Sequence, residues 1–263
     1  MDDLAALRLL AEWGADEALT DAPINRFAAM PVQVPVAAPG AVLAGLLAGP
    51  PAVAAPPARG AAAAAQGRVL AEAATTLEAL HAALAGFEGC PLRATATSTV
   101  RPGGNPAAGL VVIAEAPGAE DDRTGNAFSG VPGQVLDRVL GGIGLDRTAM
   151  LLTHLVPWRP PGSRAPSEAE VQACLPFLQR LLALARPRRI LLLGAGPAKA
   201  LAGATEGVRR LRGRWLPVPI EGQDAPAQAL PLLPLDQWMR SAATKRNLWA
   251  DLLELRQSID STS

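Results

Sequence analysis

Apolar runs of strand length recur along this chain at residues 110–114 (LVVIA), 150–156 (MLLTHLV) and 189–194 (RILLLG), and a fourth is predicted within 230–233. Apolar residues at helical spacing follow each of them. One helix is predicted from about Gly133, through Val135, Leu136, Val139 and Leu140, to Gly141-Gly142. Another runs to about Ala185, opened by Ser167 with Glu170 three residues on, the pattern of a capping box. A third starts at Pro197, and the last spans about 244–257. Near-continuous apolar strands alternating with helices lead to an α/β fold with a parallel sheet covered on both faces.

The first run carries the most chemistry. It breaks at once into Glu115-Ala116-Pro117-Gly118, then an acidic cluster, Glu120, Asp121 and Asp122, then small residues around one aromatic, Phe128. Open α/β sheets place their sites where a strand empties into such a loop. The plainer alternative is a strand followed by a solvated acidic loop. Phe128 itself could simply anchor that loop in the core.

Composition bounds the rest. With 263 residues the chain has room for one large domain plus an extension. We divide it into an acidic helical segment at 1–31, an Ala/Pro/Gly-rich linker at 32–66, the main domain at 67–257 and a tail at 258–263. A short amphipathic helix is expected over 3–13 and a firmer one over 68–87. The two cysteines provide no disulfide framework. The acidic start lacks a signal-peptide pattern, and no apolar run reaches the ~18–20 residues needed to span a membrane. A cytoplasmic, monomeric protein without membrane contact is the expectation. Formal net charge is zero, so a polyanion must meet a local basic patch. Between 186 and 214 there are eight Lys/Arg against one acid, Glu206, which makes that stretch the candidate. The alternative for it is ordinary surface charge.

Gly194-Ala195-Gly196-Pro197-Ala198-Lys199 follows a strand and opens a helix, as a nucleotide-binding loop would. The third glycine of a dinucleotide fingerprint is missing, however, and so is the spacing of a P-loop. Pro197 fits as an ordinary first-turn helix residue.

The motifs gain specificity in combination: Glu115-Ala116-Pro117-Gly118, Glu120 to Phe128, Arg159-Pro160-Pro161-Gly162-Ser163-Arg164, Glu170 and Cys174, RILLLG, Leu211-Arg212-Gly213-Arg214-Trp215, and Lys245-Arg246 before Trp249. In this order the set resembles the family 4 uracil-DNA glycosylases over roughly residues 86–256. The resemblance implies a three-layer αβα sandwich with a four-stranded parallel sheet, and removal of uracil from DNA by hydrolysis of the N-glycosidic bond. It implies catalytic roles for Glu115 and Asp121, with Glu120 and Asp122 left to solvent. Phe128 would stack on the flipped base, with His154, Ala116 and Gly118 beside it. Arg159, Arg164, Arg212 and Arg214 would contact DNA phosphates, making binding steeply salt-dependent. Uracil-containing DNA, single- or double-stranded, is the implied partner, and the N-terminal helix could recruit a protein.

The sequence also departs from the family. Many members hold a 4Fe–4S cluster on four cysteines. Here Cys90 and Cys174 match two ligand positions while Phe87 and Trp158 stand at the others, so no cluster and no other cofactor or metal is expected. His154 follows Thr153 where an Asn is usual, and imidazole lacks the amide's paired donor and acceptor. The family's His-Pro segment before the last helix reads Leu233-Pro234-Leu235. Two functions therefore stay open, a glycosylase with a modified pocket and a catalytically weak or inactive DNA-binding, damage-sensing relative.

Overall fold

The computed structural model describes residues 57–261. The expected N-terminal helix, and the linker as far as residue 56, lie outside these described residues.

Four strands form the parallel centre of the sheet: β2 (Leu110–Ala114), β3 (Leu151–His154), β4 (Arg189–Leu193) and β6 (Ala227–Leu232). Two short antiparallel strands, β1 (Gly103–Gly104) and β5 (Leu216–Val218), close the edges, giving the order β1-β3-β2-β4-β6-β5. The expected four-stranded parallel sheet is thus the core of a six-stranded one. Both edge strands lack a sequence signature, one being two glycines and the other containing Pro217, a residue that sheets tolerate at their edges. β5 pairs only Ala227 to Ala229 of β6 and stops short of Pro231, which has no N–H to give a further ladder.

Alternation along the strands makes the three layers. Val111, Ile113, Ile190 and Leu192 point into one core, shared with α1 (Pro57–Ala73), α2 (Leu77–Gly86) and α5 (Glu168–Ala185). Leu110, Val112, Leu191 and Leu193 point into the other, with Leu136 and Leu140 of α4 (Gly130–Gly141) and Leu248, Leu252 and Leu255 of α8 (Ala242–Asp260). Ser241 caps α8 and Ser167 caps α5, the latter with the expected reciprocal bond from Glu170.

Several helix boundaries differ from the sequence reading. Residues 258–260, assigned to the tail, are the last turn of α8, which continues to Asp260. Residues 57–66, assigned to the linker, are the first turns of α1. Their alanines are the strongest helix formers, and the helix's small residues let it lie close on α5: a Cβ added at Gly67 would stand 3.1 Å from the Ala173 carbonyl oxygen. The single helix expected over 68–87 is two, because Thr76 accepts a hydrogen bond from the Ala79 N–H and starts α2.

From β2 the chain passes to β3 on one side and then returns to β4 on the other. A crevice therefore opens at the carboxyl end of β2, as it does in open α/β sheets whose strand order reverses.

Candidate active site

That crevice is a cleft of about 550 Å³. All four parallel strands reach it: Ala114 and Glu115 leave β2, His154 ends β3, Leu193 ends β4, and Pro234 follows β6. Ala116, Gly118, Asp121 and Phe128 line it as well, so the residues expected to bind the base and act on it are gathered in one place.

Glu115 is half-buried, and burial raises its carboxyl above the ordinary carboxylate value. No donor among the described residues is bonded to either oxygen, which leaves the carboxylate available to a water or a developing cation. Its place is set by the loop between β4 and α6 (Ala195–Ala202). Gly194 has φ +109°, and a Cβ at Gly196 would sit 2.5 Å from Glu115 Oε1. Gly194 thus supplies the positive φ of the turn and Gly196 the room for this side chain.

Asp121 is differently employed. It is buried, its Oδ2 accepts from the Gly118 N–H (2.9 Å) and its Oδ1 from the Ser129 N–H (2.6 Å), so it ties the start of α3 (Ala119–Thr124) to the segment beside Phe128. Asp122, expected in solvent, is also buried and accepts from the Thr97 and Ser98 N–H groups at 2.8 and 3.1 Å. Glu120 is the solvent-facing member, paired with Arg123 at 2.7 Å.

Phe128 stands on a left-handed backbone, φ 55°, a costly conformation for an aromatic residue that the surroundings must enforce. Arg147 Nη2 donates to its carbonyl at 2.7 Å, and a Cβ at Gly133 would collide with that same oxygen. The ring lies nearly parallel to His154, with centroids 5.0 Å apart and planes 14° apart. His154 is buried, which drives its pKa down to about 4 against the opposing pull of Asp121, whose Oδ2 is 3.5 Å from Nε2. Its Nδ1 has no partner among the described residues.

Facing Glu115 across the cleft are Pro234 and Leu235, neither able to donate a proton. The Trp238 indole anchors this segment by donating to the Leu233 carbonyl at 2.7 Å. The arginines are mostly engaged. Arg164 makes a two-pronged bond to Glu170 (2.8 and 2.6 Å), Arg212 binds Asp251 at 2.8 Å and the Asn247 carbonyl at 2.6 Å, and Arg214 meets Glu206 at 3.1 Å. Arg159 donates to Ser163 at 3.0 Å and keeps its Nε without a partner. The basic stretch is also split. Arg189 starts β4 beside the start of β2, so Arg186, Arg188 and Arg189 gather at the amino ends of the strands, away from the cleft.

Phe87, Cys90, Trp158 and Cys174 are each 1% exposed and share one core. Phe87 packs on Phe177 with centroids 5.1 Å apart, and the Trp158 indole donates to Thr99 Oγ1 at 3.0 Å. The two thiols are hydrogen-bonded to each other, which lowers the Cys90 pKa and raises that of Cys174. Two thiols and two packed rings do not fit an iron–sulfur cluster, and no cluster of three or more metal-ligating side chains occurs among the described residues.

Residues 102–253 match the family model of the uracil DNA glycosylase superfamily. The chain is 38% identical over 125 residues to the type-4 uracil-DNA glycosylase of Pyrobaculum aerophilum, covering 48% of this chain and 64% of that protein. It is 38% identical over 117 residues to that of Saccharolobus solfataricus (43% and 54%) and 33% identical over 131 residues to that of Thermotoga maritima (48% and 68%). The match therefore spans about half to two thirds of these relatives' lengths. With the family model covering more than half of its residues, the chain belongs to the uracil DNA glycosylase superfamily.

Proposed function

We propose that this protein hydrolyses the N-glycosidic bond of uracil, or of a related damaged base, flipped out of DNA at the start of base excision repair. The observation that carries this is Glu115, half-buried and without a donor at its oxygens, in the same cleft as Phe128. The flipped base would stack on Phe128, with Ala116, Gly118 and His154 around it. The bond from C1′ to the base breaks with its electrons going to the base. Positive charge grows on the sugar, Glu115 stabilises it and orients the water that adds to C1′, and that water's proton is released. Asp121 acts in this scheme by holding the loop that carries Phe128. Arg159 and Arg209 supply phosphate contacts more readily than the ion-paired Arg164, Arg212 and Arg214.

Uracil-bearing oligonucleotides, single- and double-stranded, treated with alkali after incubation test the proposal. Strand cleavage is expected, and it should fall by about 10²–10³ in Glu115→Gln. Because Glu115 must be ionised and its pKa is raised, activity should fall with decreasing pH at values above the ordinary ~4.3 of a glutamate. Salt-sensitive binding without abasic product would overturn it.

That outcome is the second reading, a damage-binding relative with little hydrolysis. Leu233-Pro234-Leu235 favours it, because no imidazole on that side can stabilise the departing base. Among the described residues no helix is long and apolar enough to cross a membrane. We place the protein in the cytoplasm as a monomer, with residues 1–31 available to a protein partner.

A further inference from the structure

We propose that His154 is an occupant of the base slot: in the free protein its ring closes over Phe128, and a base enters only by displacing it. This rests on the cleft being the base-binding site.

Phe128 is only 3% exposed and His154 only 7%, so although both line the cleft little of either ring is free for a base to cover. A base inserted between two rings needs roughly 7 Å between them, twice a carbon–carbon contact distance. The centroids are 5.0 Å apart and the planes nearly parallel. One ring must move, and the bonding says which. The main chain at Phe128 is held by Arg147 on its carbonyl and by Asp121 on the next N–H, in a left-handed conformation that leaves the segment little freedom. His154 has only the 3.5 Å approach of Nε2 to Asp121, and its Nδ1 is without a partner. Swinging out costs the imidazole little bonding and gives Nδ1 access to water or to the edge of the base. His154 thus selects bases, admitting those that displace the ring and bond to it over those that only stack.

The expected consequence is inverted with respect to an ordinary contact residue, because removing the side chain should improve binding. If the closed stack holds about nine-tenths of the molecules, opening the slot raises apparent affinity about tenfold. The probe is a single-stranded oligonucleotide carrying 2′-fluoro-2′-deoxyuridine, which resists glycosidic cleavage, with a thymidine oligonucleotide as control. His154→Ala should bind the uracil probe about tenfold more tightly than the wild type. Histidine-labelled protein gives a second readout, since the chain has two histidines, His81 and His154. The His154 ring protons should lie upfield under the Phe128 ring current, return towards ordinary positions in Phe128→Leu, and move when the uracil probe is added. Equal or weaker binding by a His154→Ala protein with an unchanged melting temperature would overturn the proposal. So would His154 signals indifferent to Phe128→Leu, or no uracil preference in either protein. Absence of abasic product sinks only the glycosylase reading, because neither readout here depends on hydrolysis.

Discussion

Burial acts on Glu115 and His154 in opposite senses, raising the proton affinity of the acid and lowering that of the base. For His154 the folded value is about 4 against 6.5 when unfolded. Between these values unfolding takes up a proton, so stability falls as pH drops through that window, by up to about 3 kcal/mol. Glu115 works the other way, since its folded form binds the proton first. Comparing the wild type with His154→Asn isolates the histidine, because Glu115 is common to both. Urea midpoints at about pH 7 and pH 4.5 should differ more in the wild type than in the variant. The sequence made Glu115 legible because it ends an apolar run. Asp122 was misread as solvated because it sits in a charged run, and its bonds go to backbone groups 24 and 25 residues upstream that no local pattern announces.

The turn from β4 into α6 lacks the spacing of a nucleotide loop, and its glycine serves a different close approach. Gly194-Ala195-Gly196 is a site of close approach, and what approaches is Glu115 rather than a phosphate. Gly196→Ala should therefore displace the carboxylate and lower excision nearly as far as Glu115→Gln does. Its unfolding midpoint should hold or rise slightly, because alanine favours a helix by about 0.5–1 kcal/mol over glycine. Arg212 shows the reverse case, a residue expected at phosphate that joins α7 (Val208–Leu211) to α8 through Asp251. Its side chain is 16% exposed and that of Asp251 is 6%. Arg212→Ala should destabilise by about 2–3 kcal/mol in denaturant titrations, somewhat under the range for a fully buried pair, and adding Asp251→Asn should recover part of it. The equivalent loss at exposed Arg214 should stay within about 0.5 kcal/mol. The apolar runs of β2, β3 and β4 were legible from sequence. The first turns of α1 were not, because an alanine run looks like low complexity until a partner surface is known.

For the whole molecule, folding divides what the sequence lists together. The basic stretch from 186 to 214 is distributed to both ends of the sheet, and Lys199 is paired with Glu168 at 2.6 Å. Arg164 lines the cleft and Arg209, Arg212 and Arg240 line the neighbouring hollow, but Arg164, Arg212 and Arg240 are paired with Glu170, Asp251 and Asp236. The steep salt dependence expected of this basic surface should shrink accordingly. A plot of log affinity against log salt should have a slope of about −2 to −3, the release expected for some three phosphates.

Phe87 and Trp158 make the packing of this core and a fuller set of thiols mutually exclusive. Each is 1% exposed, so replacing either one with cysteine would open a void costing about 3–5 kcal/mol while supplying only a third thiol. A three-thiol variant would lose the packing while staying one ligand short of four. Four thiols in this core take two substitutions made together, each removing one of its largest buried rings.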